Sequence, residues 1–317
     1  MEKICFNSVM RQDFPPLAFA VKEILPAGLF LFAAPPKGGK SLLVLDLCLS
    51  VAQGKPFLGF ETTKGRAVYF AFEDNLRSLK ERALKQGLDG DDLMDGKLLI
   101  VQRPVGLHSG FVAEIDRIMK ENPDTILIVI DVLEYIRDKK DDTKQLLYQS
   151  DMQDMRVLRE ISRRYENLTI LLVHHTTKLM DQNNVVNQVS GSTGLIGGTD
   201  GVWVLHKQKV TDKQATLTCI MREIESKEYL LELDVDTLKW GLVDGEASKP
   251  QKYSKPTIAE VFLEHMLAGG MKNSREVKEK AMWFEITERQ LNYAKKKLRV
   301  QTIQEGTREN LQTFWKL

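Results

Sequence analysis

Apolar runs without polar alternation recur along the first two thirds of the chain: Gly28 to Ala34 (GLFLFAA), Ala67 to Phe72 (AVYFAF), Leu98 to Val101, Thr125 to Ile130 (TILIVI) and Leu168 to Val173. A strand apolar at every position is covered on both faces, as in a parallel sheet packed between helices. Segments with helical spacing of apolar positions lie between the runs, at Lys40 to Gln53, Asn75 to Lys85, Phe111 to Lys120 and Tyr148 to Tyr165. This alternation predicts βαβ units and an α/β fold with a mostly parallel central sheet.

After Asp200 the pattern changes. Gly201 to Leu205, Ala215 to Met221 and Tyr229 to Leu233 are short strand-like segments joined by charged turns, which predicts an antiparallel extension of the sheet. Gly245 to Pro256, with Ser, Lys and two prolines, reads as a linker. Beyond it, Ile258 to Leu267, Ser274 to Ala281 and Thr287 to Leu298 predict three helices, with Thr287 and Gln290 at capping-box spacing, and Phe314 to Leu317 predicts a closing strand. Three helices and a β-wing fit a winged helix-turn-helix. The expected division is a main domain over 1–244 with an N-terminal arm at 1–20, a linker at 245–256, and a small domain at 257–317.

Composition narrows the class. At 43% hydrophobic and 28% charged residues the chain is of ordinary globular type. No apolar run reaches the roughly 18–20 residues needed to cross a bilayer, and the N-terminus lacks the apolar core of a signal peptide. No membrane partner and a cytoplasmic location are therefore expected. Cys5, Cys48 and Cys219 are too scattered to suggest a disulfide framework or a zinc site. The net charge of +1 hides an asymmetry: Lys249 to Leu317 carries 14 Lys+Arg against 8 Asp+Glu, leaving the remainder at −5. A basic tail favours a polyanionic partner.

The chemistry gathers where strands end. Ala34-Pro35-Pro36-Lys37-Gly38-Gly39-Lys40-Ser41 matches the phosphate-binding pattern G-x4-G-K-[ST] except at its first position. Gly38 and Gly39 allow backbone N–H groups to turn toward phosphate oxygens, and the following helix N-terminus, running on into Leu42, adds partial positive charge. Lys40 suits the β- and γ-phosphates and Ser41 a Mg²⁺ ion, so ATP and Mg²⁺ are the expected cofactors. Ala34 restricts the backbone if its position needs positive φ. Asp131 ends the most apolar strand, where an acid is costly unless it meets a cation; a helix N-cap is the competing assignment. Glu73 and Asp74 end another strand. Glu73 suits activation of an attacking water, and Asp74 suits an N-cap for the helix that follows. His174 and His175 end the LTILLV strand on the same edge, either as phosphate contacts or as ordinary strand-end histidines. The polar stretch from Leu179 to Gly198 is expected to be a loop, either functional or merely mobile.

With these residues in place the chain resembles a RecA/DnaB-type P-loop ATPase of the AAA_25 group, and is similar to RepA-like hexameric replicative helicases. The resemblance runs from about Ala20 to Trp240 through ILPAGLFLFAAPPKGGKS, VAQGKPFLGF, AVYFAFEDNLRSLKERAL with Gly65-Arg66 before it, TILIVIDVLEYI, LLVHHTTK, GSTGLIGGTDGVWVL and LELDVDTLKW. It implies a RecA-like core, Glu73 as catalytic glutamate, Asp131 as metal-site aspartate, and His175, with His174, in a sensor role. Arg222 would match an arginine reaching the neighbouring subunit's ATP, although Met221-Arg222-Glu223 departs from the family's Gly-Arg-Asp; a surface arginine is the alternative. Lys178, Ser190, Ser192 and Thr193 would line the path of single-stranded DNA. The C-terminal segment is similar to winged-helix tails of relatives on plasmids and phages, with Lys295, Lys296 and Lys297 suited to phosphate contacts or to a solvated face. Trp283 and Trp315 read as core. The resemblance implies a DNA-dependent ATPase, a homohexameric replicative helicase of a mobile element or plasmid. The alternative is an ATP-switched DNA-binding or loading protein without unwinding. A small-molecule kinase fits poorly, because no arginine-rich lid accompanies the VHHTTK edge.

Overall fold

The computed structural model describes residues 4–88, 96–137, 144–176, 189, 193–207, 209, 211–243, 258–267, 270–283, 286–298, 300–305 and 312–316. It divides into two compact units, Met1–Gln251 and Lys252–Leu317.

The first unit opens with an arm in which α1 (Phe6–Val9) buries nothing, and Ile4, Phe6, Met10 and Phe14 are exposed. A small hairpin, β1 (Phe19–Val21) with β2 (Leu25–Pro26), leads into β3 (Gly28–Ala34). The chain then alternates α2 (Lys40–Gln53), β4 (Arg66–Ala71), α3 (Leu76–Lys85), β5 (Leu98–Val101), α4 (Val112–Glu121), β6 (Thr125–Asp131), α5 (Lys144–Arg164), β7 (Thr169–His175), α6 (Thr193–Gly197) and β8 (Gly201–His206). A π turn, Leu107–Phe111, precedes α4, and a 3₁₀ turn, Leu133–Ile136, follows β6. Three further strands, β9 (Gln214–Met221), β10 (Lys227–Leu233) and β11 (Trp240–Leu242), complete a nine-stranded sheet of order β11-β10-β9-β8-β3-β7-β6-β4-β5. The strands from β8 to β5 are parallel, and β9 to β11 are antiparallel.

Alternate residues of β3 enter two separate cores. Phe30, Phe32 and Ala34 join the core under α2, while Leu29, Leu31 and Ala33 join the one under α4 and α5. The sheet is thus sandwiched, as its uninterrupted apolar strands require. Trp203 anchors the α2 side, edge-on to Phe32 at 6.3 Å and stacked on Phe57 at 6.4 Å. Cys48 and Cys219 are buried and free, while Cys5 is exposed on the arm.

Two local expectations are corrected. The N-cap of α3 is Asn75, whose side chain accepts from Ser78 N at 2.8 Å; Asp74 instead accepts from Arg82 at 2.7 Å. The end of the stretch expected to be a loop is folded. Val189 bridges Thr176, α6 follows, Leu195 is fully buried, and Gly198 packs so closely on Met155 that a Cβ would lie 2.3 Å from it. One leucine and a set of small residues anchor this segment despite its polar composition.

The second unit has α7 (Ile258–Leu267), α8 (Ser274–Trp283) and α9 (Glu288–Lys297) against a three-stranded antiparallel sheet of β12 (Lys272–Asn273), β13 (Gln301–Glu305) and β14 (Gln312–Lys316). Thr287 and Gln290 form the capping box of α9. Trp315 is core, with Leu263, Val277 and Leu291. The expected linker and the side chain of Trp283 lie outside the described residues. Among the described residues, no helix is long and apolar enough to cross a membrane.

Candidate functional site

Every candidate on a parallel strand lies at the C-terminal edge of the sheet, where loops leave the strands. The loop after β3 closes a turn in which Gly38 N donates to Pro35 O at 2.9 Å, and a Cβ at Gly38 would stand 2.8 Å from that oxygen. Pro36 and Lys37 are exposed on its outside. Positive φ falls on Lys37 (61°) and on Gly39 (92°), the N-cap of α2. Ala34 remains inside β3, in register with His175, so the departure from the pattern's first glycine costs nothing in backbone conformation.

Side-chain parity along the strands selects which polar groups meet. Tyr69 and Asp131 project to the α2 side with their apolar neighbours Ala67, Ala71, Leu127 and Val129. Lys40 and Ser41, in the first turn of α2, face them. Lys40 Nζ lies 3.4 Å from Glu73 Oε2 and 3.5 Å from Asp131 Oδ1. Ser41 Oγ donates to Asp131 Oδ2 at 3.1 Å, and Tyr69 O–H donates to the same oxygen at 2.9 Å. Asp131 is 1% exposed. Burial drives its pKa up, against the opposing pull of Lys40 and the hydroxyl groups of Tyr69 and Ser41. Burial and the charge of Asp131 push the Tyr69 phenol well above its ordinary value, so it remains a donor.

The histidines divide by the same parity. His174 turns to the opposite side, where its Nδ1 lies 3.1 Å from Glu134 Oε2. Burial acts upward on Glu134, but His174, a backbone hydrogen bond and Arg137 together outweigh it and hold its pKa below the ordinary value. His175 turns toward the site, with Nε2 3.9 Å from Glu73 Oε1 and a buried Nδ1 without a hydrogen-bond partner. Burial and then Lys40 lower its pKa, which favours the neutral ring.

The donor set suits a magnesium triphosphate. A hydroxyl and a carboxylate oxygen meet at one point, hard ligands of the kind Mg²⁺ takes. The buried carboxylate carries a desolvation penalty that a cation relieves. The loop before α2 is wound so tightly that a Cβ at Gly38 would meet Pro35 and one at Gly39 would meet Trp240, which keeps both positions to glycine and leaves their backbone free of side chains.

The remaining candidates lie elsewhere. Arg222 follows β9 and is exposed, its Nη2 donating to Gly197 O at 2.9 Å. The register places it far from the chain's own phosphate loop: Met221 pairs with Gly201, and Gly201 with Phe30, toward the N-terminal end of β3. Thr193 opens α6, while Lys178, Ser190 and Ser192 lie outside the described residues. In the second unit Lys295, Lys296 and Lys297 lie on α9; Lys296 is exposed, and Lys295 Nζ sits 4.6 Å from the centre of the Trp315 ring.

Sequence reasoning missed Tyr69, Glu134 and the later strands' contacts with the loop. A phenol in an otherwise apolar strand buried on both faces is the available signal for Tyr69, because its O–H requires a partner there.

Comparison with known proteins places this geometry. The AAA_25 family, an AAA domain, matches residues 6–181, more than half of the chain. Similar folds include a solved ATPase domain, at 11% identity over 69% of this chain and 85% of that one, with a TM-score of 0.55. A KaiC-like protein, PH0186 from Pyrococcus horikoshii OT3, is 16% identical over 71% of this chain and 93% of its own, with a TM-score of 0.51. A DnaB-like replicative helicase is 12% identical over 68% of this chain and 57% of its own, with a TM-score of 0.54. No curated protein matches the chain in sequence. The chain belongs to the AAA_25 family, and its first unit is a P-loop ATPase domain with the RecA/DnaB-type fold.

Proposed function

We propose that the protein is a DNA-dependent ATPase working as a homohexameric replicative helicase of a mobile element or plasmid, hydrolysing ATP to translocate on single-stranded DNA. The observation that carries the reading is the separation of Arg222 from the site of its own chain. The phosphate loop, Glu73 and Asp131 share one edge of the sheet, and Arg222 leaves the other. An arginine so placed cannot act on the nucleotide of its own chain; the role left to it in this reading is at a neighbour's site, which a ring would supply. The fold shared with a DnaB-like replicative helicase supports the same reading.

Lys40 then binds the β- and γ-phosphates, with the N–H groups of Gly39 and Lys40 beside them, while the Gly38 N–H closes the turn onto Pro35. Ser41 and Asp131 would hold Mg²⁺, which offsets the charge of the triphosphate. A triphosphate that takes the Lys40 ammonium draws it away from Glu73, leaving that carboxylate free to accept the proton of the attacking water. The water oxygen bonds to the γ-phosphorus as the bond to the β-phosphate oxygen breaks. His175, beside Glu73, would report the γ-phosphate. The loop from Lys178 to Thr193 would grip DNA, and the second unit, read as a winged helix, would contact duplex through Lys295, Lys296 and Lys297.

The test is ATP turnover with and without single-stranded DNA, together with mass in solution with a non-hydrolysable analogue. DNA stimulation, strand displacement and a six-chain particle are expected; turnover indifferent to DNA and no displacement would sink the helicase reading. The separate core of the second unit and its basic helix favour one alternative, an ATP-switched DNA-binding or loading protein. Duplex binding by residues 250–317 combined with no unwinding by the full chain would select it.

A further inference from the structure

The stretch ending LELDVDTLKW lies beyond the matched family region, and its last three residues run along one side of the phosphate-loop helix, Lys239 and Trp240 in direct contact and Leu238 by way of Gln86 at the end of α3. Leu238 O accepts from Gln86 Nε2 at 3.0 Å, and the same nitrogen donates to Leu42 O at 2.9 Å. Lys239 Nζ lies 3.4 Å from the buried carboxylate of Asp46. Trp240 Nε1 donates to Gly39 O at 3.2 Å, and the residue is 3% exposed. Gly39, Leu42 and Asp46 stand at i, i+3 and i+7, which is one side of a helix. Lys239 and Trp240 directly, and Leu238 through the Gln86 bridge, therefore brace α2 along its first two turns.

The contact at Gly39 bears directly on the phosphate cradle. Gly39 O also accepts from Leu43 N at 3.2 Å, so two donors fix this carbonyl. A peptide unit is planar and trans, so fixing the Gly39 C=O fixes the direction of the opposed Lys40 N–H. The indole closes on the loop so tightly that a Cβ at Gly39 would meet Trp240 Cζ2 at 2.9 Å. The mostly buried Lys207 places its Nζ 5.1 Å from the centre of the indole ring.

We propose that residues 238–240 form a strap that presets the phosphate loop for nucleotide, with Trp240 as the positioning residue for the Lys40 N–H. The strap rests on reading the loop as a nucleotide site. The experiment titrates full-length protein with a fluorescent ATP analogue and Mg²⁺, beside thermal melts and steady-state turnover. Trp240→Phe keeps a ring and removes the donor. It should melt close to the parent yet bind the analogue about tenfold more weakly, as the loss of one hydrogen bond implies, with KM for ATP rising by more than kcat falls. Lys239→Gln should weaken binding and Lys239→Arg should restore it. Parental affinity in folded Trp240→Phe overturns the strap. If Trp240→Phe does not fold, equal affinities of Lys239→Gln and Lys239→Arg overturn it instead. An unsubstituted chain that binds no nucleotide removes the underlying reading, and the strap with it.

Discussion

The six parallel strands and the three antiparallel ones share a sheet but bury themselves differently. Along β6 and β7 nearly every side chain is covered, whereas β10 alternates buried Tyr229 and Leu231 with exposed Leu230 and Glu232. The parallel strands all point toward one edge, so any chemistry they carry is gathered within a single chain. The antiparallel strands reach both edges. Arg222 leaves at one, and the strap lies at the other, because Trp240 pairs with Leu233 beyond the level of His206, the last residue of β8. The parallel part assembles a site, and the antiparallel part has ends suited to tie that site to other things.

Substitutions can break or sharpen this contrast. Glu73→Gln should lower kcat by roughly a thousandfold while leaving nucleotide binding intact, since it removes a proton acceptor while keeping the side chain's size and shape. Normal single-turnover hydrolysis in that variant would remove Glu73 from the reaction. Arg222→Ala should cost turnover by about the same factor, with a different signature. Mixed with a Lys40→Ala chain it should recover activity, because each chain lends what the other lacks, and failure of every mixture would place both halves of the sheet in one self-contained site. Lys40→Ala alone should weaken nucleotide binding by about a hundredfold, as loss of a charged hydrogen bond implies, measured by calorimetry.

Smaller effects separate binding from folding. The pKa of Asp131 is raised in the folded chain. Its ionised form therefore opposes folding, and stability declines as pH climbs from the unfolded carboxylate range through the raised value. Asp131→Asn should flatten that decline and gain about 1 kcal/mol at neutral pH without metal, while losing Mg²⁺-dependent nucleotide binding; a melt unchanged with pH between parent and variant would count against it. Tyr69→Phe should lose about 1 kcal/mol, since it leaves a buried carboxylate one donor short, detected by denaturant titration.

Much of the first unit was legible because continuous apolar runs and helical spacing are local signals. Thr125 to Ile130 and Gly28 to Ala34 declare strands on their own, and strand alternation separates His175 from His174 once the strand is placed. The phosphate loop was legible because its spacing is itself the chemistry. β11 was not, as three residues with one partner strand carry no periodicity. The contact of Trp240 with Gly39 spans 201 positions and leaves no trace in spacing. Leu195 was hidden by polar neighbours, and Asn75 was passed over for Asp74, since both residue types cap helices and only geometry chooses between them.

The three cysteines differ in reach. Burial pushes the thiols of Cys48 and Cys219 far above their ordinary range, while Cys5 stands on the arm in solvent. A maleimide applied to the native protein should therefore modify one position per chain, beside the exposed Phe6. The unaltered sequence thus carries its own labelling handle, and the rate at which that handle reacts measures whether the arm becomes covered when chains meet.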